Sequence, residues 1–317
     1  MSECLGQLII GGLEEVGNLI SGNDENGLSI QDATYSNLVQ GNTFGTNADE
    51  SLNLPNGFKD ISIIDSTYLT IGGTSTGYAN VLMSGIRGYT FDHPISHLEI
   101  RGNLIGISRT GLPRPGSYIY PGIDLDDVTN QSVISYNTIT NFPKGIVIRG
   151  EGSNVAILNN RIYNNAIRGI DLNNDGVTLN DPPPDADLGP NGLQNFPIIS
   201  NVEVTPIGEA KQVMLDVSIA SKPSTTYYIQ LFSIPFCSPS GYGEGKQIFY
   251  SNPVTTDSNG YGVIEEVPDF YPLHIIGPCL TATATEFDGV YYLGTSEFSQ
   301  GVMAWEPEQI FLPMILK

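Results

Sequence analysis

The stretch 130–175 repeats itself once, and this repeat limits the fold more than any other feature of the sequence. Its first copy is NQSVISYNTITNFPKGIVIRGEG, and the second, directly after it, is SNVAILNNRIYNNAIRGIDLNND. Asn137 and Asn160 are 23 residues apart, and Gly145 and Gly169 are 24 apart. A fixed period of this size indicates a solenoid. Because apolar and polar residues alternate with a period of two, each copy predicts one turn of a parallel β-helix.

The same signal runs through residues 1–175. The asparagine before one strand of each turn recurs at Asn18, Asn42, Asn80, Asn103, Asn137 and Asn160. The glycine that opens another strand recurs at Gly27, Gly57, Gly88, Gly122, Gly145 and Gly169. We expect Ile and Leu to point inward and stack between coils, and each asparagine to bond to the next one at a corner. Two Gly-, Pro- and Asn-rich insertions, 45–57 and 106–121, are predicted to be loops.

Length and composition narrow the class of protein. A chain of 317 residues predicts two domains. The net charge of −21, with 13 Lys and Arg against 34 Asp and Glu, argues against a nucleic-acid partner, which would need a basic face. No stretch is long enough to span a membrane. This composition is typical of a secreted or cell-surface β protein, although MSECLGQLIIGG does not resemble an export signal, which we expect upstream.

The composition changes abruptly at 176–200, where GVTLNDPPPDADLGPNGLQNFPIIS is rich in Asp, Pro, Gly and Asn. This segment is predicted to be a junction that closes the coil stack. It contains the pattern D-x-D-x-G-x-N, whose alternating oxygen groups around a glycine turn are typical of a calcium loop. The alternative is a turn held by bonds from Asx side chains to the backbone. The predicted Ca²⁺ ligands are Asp171, Asp181, Asp185, Asp187 and Asn191, with Asp175 also close in sequence.

Residues 201–303 change to short alternating segments separated by turn clusters. VEVTP, QVMLDVSI, TTYYIQLFSI, KQIFYSN, GVIEEV, CLTATATE and SEFSQGVMA are the predicted strands. About seven strands at this spacing predict an antiparallel sandwich of the immunoglobulin type. Cys237 and Cys279 both lie here and are predicted to form a disulfide, the alternative being two buried thiols, while Cys4 is left over. The segment 304–317 ends in an apolar strand.

Several motifs resemble those of one known class of protein. They are IGGTSTGYANV, GNTFGTNADESLNLPNG, the junction itself, FCSPSGYGEGKQIFYSNPVTTDSNGYG and TATATEFDGVYYLGTSEFS. The chain is similar to right-handed parallel β-helix repeat surface proteins of bacteria, of the Chloroflexota type, with a C-terminal immunoglobulin-like module. The resemblance spans nearly the whole chain. It implies an all-β fold of these two parts and a place at the cell surface, but it implies no particular activity.

An enzymatic alternative rests on the outward face of the coils. After Gly122 and Gly145, alternation places Asp124, Asp126 and Arg149 outward, with Asp127 next to them. Carboxylates could hold calcium on a uronate while a basic residue takes the proton, as a polysaccharide lyase or hydrolase requires. The competing interpretation is a cross-strand ion pair between Asp126 and Arg149. The strong negative charge would also repel polyanionic sugars unless calcium bridged them.

We therefore expect a non-enzymatic structural or adhesive protein. An open coil end and a detachable apolar C-terminal strand could join copies head to tail into a fibre. A third possibility is a monomeric carbohydrate-binding module that uses Tyr118, Tyr120 or the tyrosine-rich region 242–261. The expected partners are a second copy of the chain or a surface polysaccharide.

Overall fold

The computed structural model describes residues 7–12, 17–114, 119–129, 131–207, 210–272 and 277–304. These residues form strands, turns and one short 3-10 helix, Pro190–Leu193. Parallel sheets stacked in repeats make up the first part of the chain, and antiparallel sheets make up the second. The chain is therefore all-β, as the alternation of apolar residues predicted.

The first part contains three six-stranded parallel sheets, and each coil gives one strand to each sheet. The first sheet consists of β1 (Ile9–Gly11), β4 (Asn37–Gln40), β7 (Leu69–Gly72), β11 (Glu99–Arg101), β15 (Ser132–Ser135) and β18 (Val155–Leu158). The second consists of β2 (Leu19–Ile20), β5 (Thr43–Phe44), β8 (Val81–Leu82), β12 (Leu104–Ile105), β16 (Thr138–Thr140) and β19 (Arg161–Tyr163). The third consists of β3 (Leu28–Gln31), β6 (Ile61–Ile64), β9 (Ile86–Tyr89), β13 (Ile123–Asp126), β17 (Lys144–Arg149) and β20 (Arg168–Leu172). A short extra pair joins β10 (Ile95–Ser96) to β14 (Val128–Thr129).

Asparagine side chains connect the coils along one corner, as the sequence predicted. Each amide of the ladder donates to the side-chain oxygen of the next, from Asn18 through Asn42, Asn80, Asn103 and Asn137 to Asn160. The Asn103 to Asn137 bond is 2.9 Å long, and both residues are fully buried. Stacked isoleucines fill the interior beside this ladder, with Ile86, Ile123 and Ile146 in register at 0% exposure.

The predicted positions of two glycines were wrong. Ile123 pairs with Ile86, so Gly85, rather than Gly88, lies opposite Gly122. Gly88 lies instead opposite Leu125, where a Cβ would come within 2.9 Å of the leucine side chain. In the same way Gly57 lies before the start of β6, and Asp60 takes the position that opens the strand. The loops inserted between coils change the spacing, and a glycine match alone could not correct for them.

The second part of the chain contains two antiparallel sheets. The three-stranded sheet has the order β21 (Ile198–Ile207), β22 (Ala210–Ala220) and β25 (Tyr261–Pro272). The other has the order β24 (Gln247–Thr255), β23 (Thr226–Ile234), β26 (Cys279–Phe287) and β27 (Tyr292–Thr295), with β28 (Val302–Met303) also paired to β26. Residues of both sheets, among them Val217 and Ile229, form one buried hydrophobic cluster. Cys237 and Cys279 form a disulfide, as predicted.

The segment SEFSQGVMA was predicted to be one strand, and this was only partly right. Val302–Met303 is a strand, but Ser296 and Ser299 lie in an extended segment beside β26. Their hydroxyl groups accept the backbone N–H of Ala284 and Ala282. The short strand β27 was missed because it follows the EFDG turn after only a few residues.

Side chains of the second part cover the edge of the last coil. The N–H of Ile157 on β18 donates to Thr295 Oγ1 at 2.7 Å, and the N–H of Asn159, just after the strand, donates to Gln230 Oε1 at 3.0 Å. In a longer stack these N–H groups would pair with a further strand. Asn165 donates its N–H and its amide to Glu244 Oε1 at 3.0 and 2.8 Å, as it would to the next asparagine of a ladder. Leu172 N–H donates to Glu297 Oε1 at 2.9 Å. We call Gln230, Glu244, Thr295 and Glu297 the cap.

Apolar side chains of the second part of the chain lie beside the cap. Phe232 and Phe298, whose ring centroids are 5.1 Å apart, belong to the same buried cluster as the isoleucines of the coils. The hydrophobic interior of the stack therefore ends on aromatic rings of the second part. An unpaired strand edge and an open apolar end are both unfavourable for an exposed coil. The cap pairs N–H groups of the edge, and the two phenylalanine rings beside it cover the apolar end.

No helix in the described part of the chain is long and apolar enough to cross a membrane. Cys4 and all of the predicted segment 304–317 except Ala304 lie outside the described residues.

Candidate functional site

Charged side chains line the outer face of the third sheet, where the sequence predicted them. Asp126 and Arg149 are opposite each other in the register, and Arg149 Nε lies 3.8 Å from Asp126 Oδ2. Arg149 Nη2 also contacts Asp124 Oδ1. Three of the four residues of the alternative catalytic set therefore come together. Asp127 is exposed just after β13, in a left-handed conformation with φ of 53°.

The contacts of Arg149 favour an ion pair over a catalytic base. A base must be neutral to accept a proton. The Arg149 guanidinium is instead paired with two carboxylates, and arginine is a poor proton acceptor. Asp124, which is 6% exposed, and Asp126 are in turn occupied by this contact.

Two cations of the same face were missed from the sequence. Arg87 on β9 lies opposite Asp124, and Lys59 lies just before β6. Lys59 is only 3% exposed, and burial lowers the pKa of its ammonium group to about 8, although the charges of Asp124 and Asp60 oppose this. The inward isoleucine register, followed one coil further toward the N-terminus, would have placed Arg87 on this face, but it does not indicate Lys59, which precedes β6.

A second charged group lies at the other end of the sheet and includes Asp171. Asp171 Oδ2 is 2.7 Å from Lys144 Nζ and 3.8 Å from Arg168 Nε, and Arg168 Nη1 is 3.9 Å from Glu297 Oε2. Asp171 is fully buried. Its carboxylate is thus neutralised by two cations and linked to the cap, and it does not join the acidic residues of the junction as predicted.

Three predicted calcium ligands do come together at the junction. Carboxylate oxygens of Asp181, Asp185 and Asp187 all lie within 4.8 Å of one another. Ca²⁺ binds oxygen at about 2.4 Å, so two oxygens on one ion are separated by about 4.8 Å at most. The spacing of this acidic cluster therefore fits a single calcium ion.

Asp185 is the buried member of the acidic cluster, at 1% exposure. Its Oδ2 accepts bonds from Ser221 Oγ, from Asn195 N–H at 3.2 Å and from Gln194 Nε2 at 3.4 Å. Its Oδ1 is also buried but has no hydrogen-bond partner among the described residues. Desolvation, with a further contribution from the charge of Asp181, raises the pKa of Asp185. A cation at this cluster would satisfy the free oxygen and offset the repulsion.

Asn191, the remaining predicted calcium ligand, forms hydrogen bonds with the backbone instead. Its Oδ1 accepts Val155 N–H at 2.7 Å, and its Nδ2 donates to the carbonyls of Val155 and Thr295 at 3.0 and 2.8 Å. The side chain therefore bridges β18 and β27, next to the cap. The D-x-D-x-G-x-N pattern therefore contains two aspartates of the acidic cluster and an asparagine that links two strands, and the pattern alone could not tell them apart.

The tyrosines predicted to bind carbohydrate have different surroundings. Tyr118 lies outside the described residues. Tyr120 is 36% exposed beside Lys59, whose Nζ is 5.7 Å from the ring centroid. Tyr242 packs edge-on against Phe196 at the junction. Of these, Tyr120 lies at a cavity that also contains cations.

A search of known protein families found no family model that matches this chain.

Proposed function

We propose that the stacked coils form a right-handed parallel β-helix and that the antiparallel part is an immunoglobulin-like sandwich. The period of the coils and the single corner ladder of asparagines support the first assignment. The second assignment is supported by the strand order of two sheets that share one core. One sheet contains β21, β22 and β25, and the other contains β24, β23, β26 and β27.

We infer that the protein is an extracellular or cell-surface structural and adhesive protein. The observation that carries this inference is the cap, which joins the last coil and the sandwich through buried hydrogen bonds and a common hydrophobic cluster. Such a junction favours a rigid rod rather than two domains on a flexible linker. The disulfide between Cys237 and Cys279 favours an oxidising compartment. The motifs shared with bacterial β-helix surface proteins are consistent with this role.

A fibre of head-to-tail copies is the specific form of this role that we propose. Electron microscopy of the full chain, with calcium present, is expected to show uniform filaments with an axial repeat near one subunit length. A variant that lacks residues 308–317 is expected to remain folded but to form single particles, because it lacks the apolar strand that would be donated to a neighbour. Filaments formed equally well by the truncated chain would contradict the donated-strand contact, and single particles from both chains would contradict the fibre.

We also propose that the acidic cluster binds one structural Ca²⁺ ion. At a calcium concentration a hundred times the Kd, binding would stabilise the fold by about 2.7 kcal/mol. A thermal melt of the protein in calcium is then expected to be at least about 5 °C higher than in EDTA. Asp185→Asn and Asp187→Asn are expected to lose most of this shift.

Asp175→Asn is the matched control for the calcium prediction. It removes the same charge from an exposed residue just before the junction, whose carboxylate accepts a bond from Asn173 and lies outside the acidic cluster. This variant should keep the full calcium shift. Because Asp187 is exposed, its replacement does not threaten the fold, and a full shift in Asp187→Asn would contradict the site.

A further inference from the structure

A small cavity of about 120 Å³ opens on the outer face of the third sheet. Lys59 and Arg87 contribute its cationic groups, and Phe58, Tyr89 and Tyr120 contribute aromatic rings. Because Lys59 precedes β6 and Arg87 lies on β9, the stacked coils bring together residues that are distant in the sequence. Pockets that enclose a whole drug-sized ligand have about 300–1,000 Å³, so this cavity can take one group of a larger molecule.

The two cations of the cavity form no ion pair within the described part of the chain. Among the described residues, neither Lys59 nor Arg87 lies within salt-bridge distance of an acidic side chain, although acidic residues outnumber basic ones 34 to 13 in the chain. Lys59 Nζ donates to the carbonyl of Pro121. Asp124, which lies opposite Arg87 in the register, is held by Arg149. Two neighbouring positive charges repel each other, and a bound anion would satisfy both.

The aromatic rings give the cavity a second chemical property. Phe58 is 52% exposed and Tyr120 36% exposed, so both offer ring surface to a ligand. The Arg87 guanidinium lies 4.8 Å from the centroid of the Tyr89 ring, an arrangement that holds the cation in place. The C–H face of a sugar ring packs on such surfaces, and the side chains of Asn26 and Ser62 in the lining can bond to hydroxyl groups.

We propose that this cavity, the uronate pocket, binds the carboxylate of an acidic sugar in a surface polysaccharide, with the sugar ring against the aromatic rim. The planar fork of a guanidinium matches a carboxylate. The proposal rests on the adhesive function proposed above and names its ligand class. The net charge of −21 repels a polyanion at long range, but at physiological salt this repulsion is screened beyond about 8 Å, whereas the pocket acts at contact distance.

Binding of the full chain to sodium polygalacturonate, dextran sulfate and neutral dextran tests the proposal. We expect polygalacturonate to bind and neutral dextran not to bind. Arg87→Gln is expected to weaken polygalacturonate binding at least tenfold, because it removes a charged hydrogen-bonding partner. Phe58→Ala is expected to weaken it several-fold, and both variants are expected to fold because Phe58 and Arg87 are exposed. Lys59→Met, which keeps the length of the buried side chain, is expected to act like Arg87→Gln.

Arg161→Gln is the matched control, because Arg161 is also exposed and lies 5.9 Å from the ring of Tyr163 on the second sheet. It removes the same charge and the same type of contact, and binding should be unchanged. If Arg87→Gln binds polygalacturonate like the parent, or if dextran sulfate binds as tightly as polygalacturonate, the proposed uronate pocket is contradicted. The proposed adhesive role is not affected by either result. If the parent binds no polysaccharide of this set, the adhesive role itself fails for these sugars, whatever the variants do.

Discussion

Replacing Asn137 by alanine is expected to lower the free energy of unfolding by about 4 kcal/mol or more. Asn137 Oδ1 accepts the backbone N–H and the amide of Asn103, both at 2.9 Å, and its Nδ2 donates to the carbonyl of Ile100 at 2.8 Å. All of these groups lie in the buried corner of the coils. Alanine would leave the Asn103 N–H without a partner, at a cost of about 1–3 kcal/mol, and would remove the bonds to the Asn103 amide and the Ile100 carbonyl, each worth about 1 kcal/mol. Urea unfolding followed by circular dichroism measures the loss.

Asn53→Ala is the control for the asparagine ladder. Asn53 is exposed in the loop 45–57, so its replacement is expected to change stability by less than about 0.5 kcal/mol. Equal unfolding midpoints for the two variants would mean that the ladder adds no stability beyond what an exposed asparagine contributes.

The corner ladder could be predicted from the sequence because it depends on local chemistry that each coil repeats. Asparagine tolerates the corner conformation and can bond to a copy of itself in the next coil, so identity at a regular spacing is enough. The glycine register failed at Gly57 and Gly88 because loop insertions change the spacing. There the isoleucines Ile61 and Ile86, which must point inward, are the more reliable guide to register.

The cap could not be predicted because its contacts join residues that no repeat relates. Glu244 takes the place of a ladder asparagine next to Asn165, but the two are 79 residues apart in the sequence. Nothing in the GYGEG motif indicates that its glutamate is buried against a coil. The acidic cluster was predicted in part, since Asp181, Asp185 and Asp187 are close in sequence. Asp171 and Asn191 were wrongly assigned to this cluster. They are close to it in sequence, but proximity in sequence does not show which way a side chain points.

Between pH 5 and pH 8 the protein is expected to lose several kcal/mol of stability, because two buried carboxyl groups of the cap must ionise. Burial raises the pKa of Glu244 and of Glu297 from 4.5 to about 7. Below pH 4.5 both groups are protonated in the folded and in the unfolded chain. Between pH 4.5 and 7 the unfolded chain has released protons that the folded chain still binds, so stability falls by about 1.4 kcal/mol per pH unit and group. The loss is complete above pH 7, at about 3 kcal/mol for each glutamate.

Other carboxylates act in the opposite direction at lower pH. Hydrogen bonds from the backbone N–H groups of Phe91 and Tyr261 lower the pKa of Asp65 and of Asp257, respectively. These groups stabilise the fold once they are ionised, and their contribution is lost as the pH falls through their lowered pKa. The two opposing effects place the maximum of stability near pH 4.5.

Glu244→Gln and Glu297→Gln test this account because glutamine keeps the accepting oxygen but cannot ionise. The double variant is expected to be several kcal/mol more stable than the parent at pH 8 and equal to it near pH 4.5. In between it is expected to lose less stability than the parent, since the raised pKa values of Asp60 and Asp185 still cause a fall. Glu265→Gln removes one charge from an exposed position and should leave the pH dependence unchanged. Thermal melts at half-unit steps from pH 4.5 to 8 provide the measurement. A melting temperature that rises with pH over this range, or a double variant that follows the parent curve, would mean that the cap carboxylates are not desolvated as their contacts with Asn165 and Leu172 require.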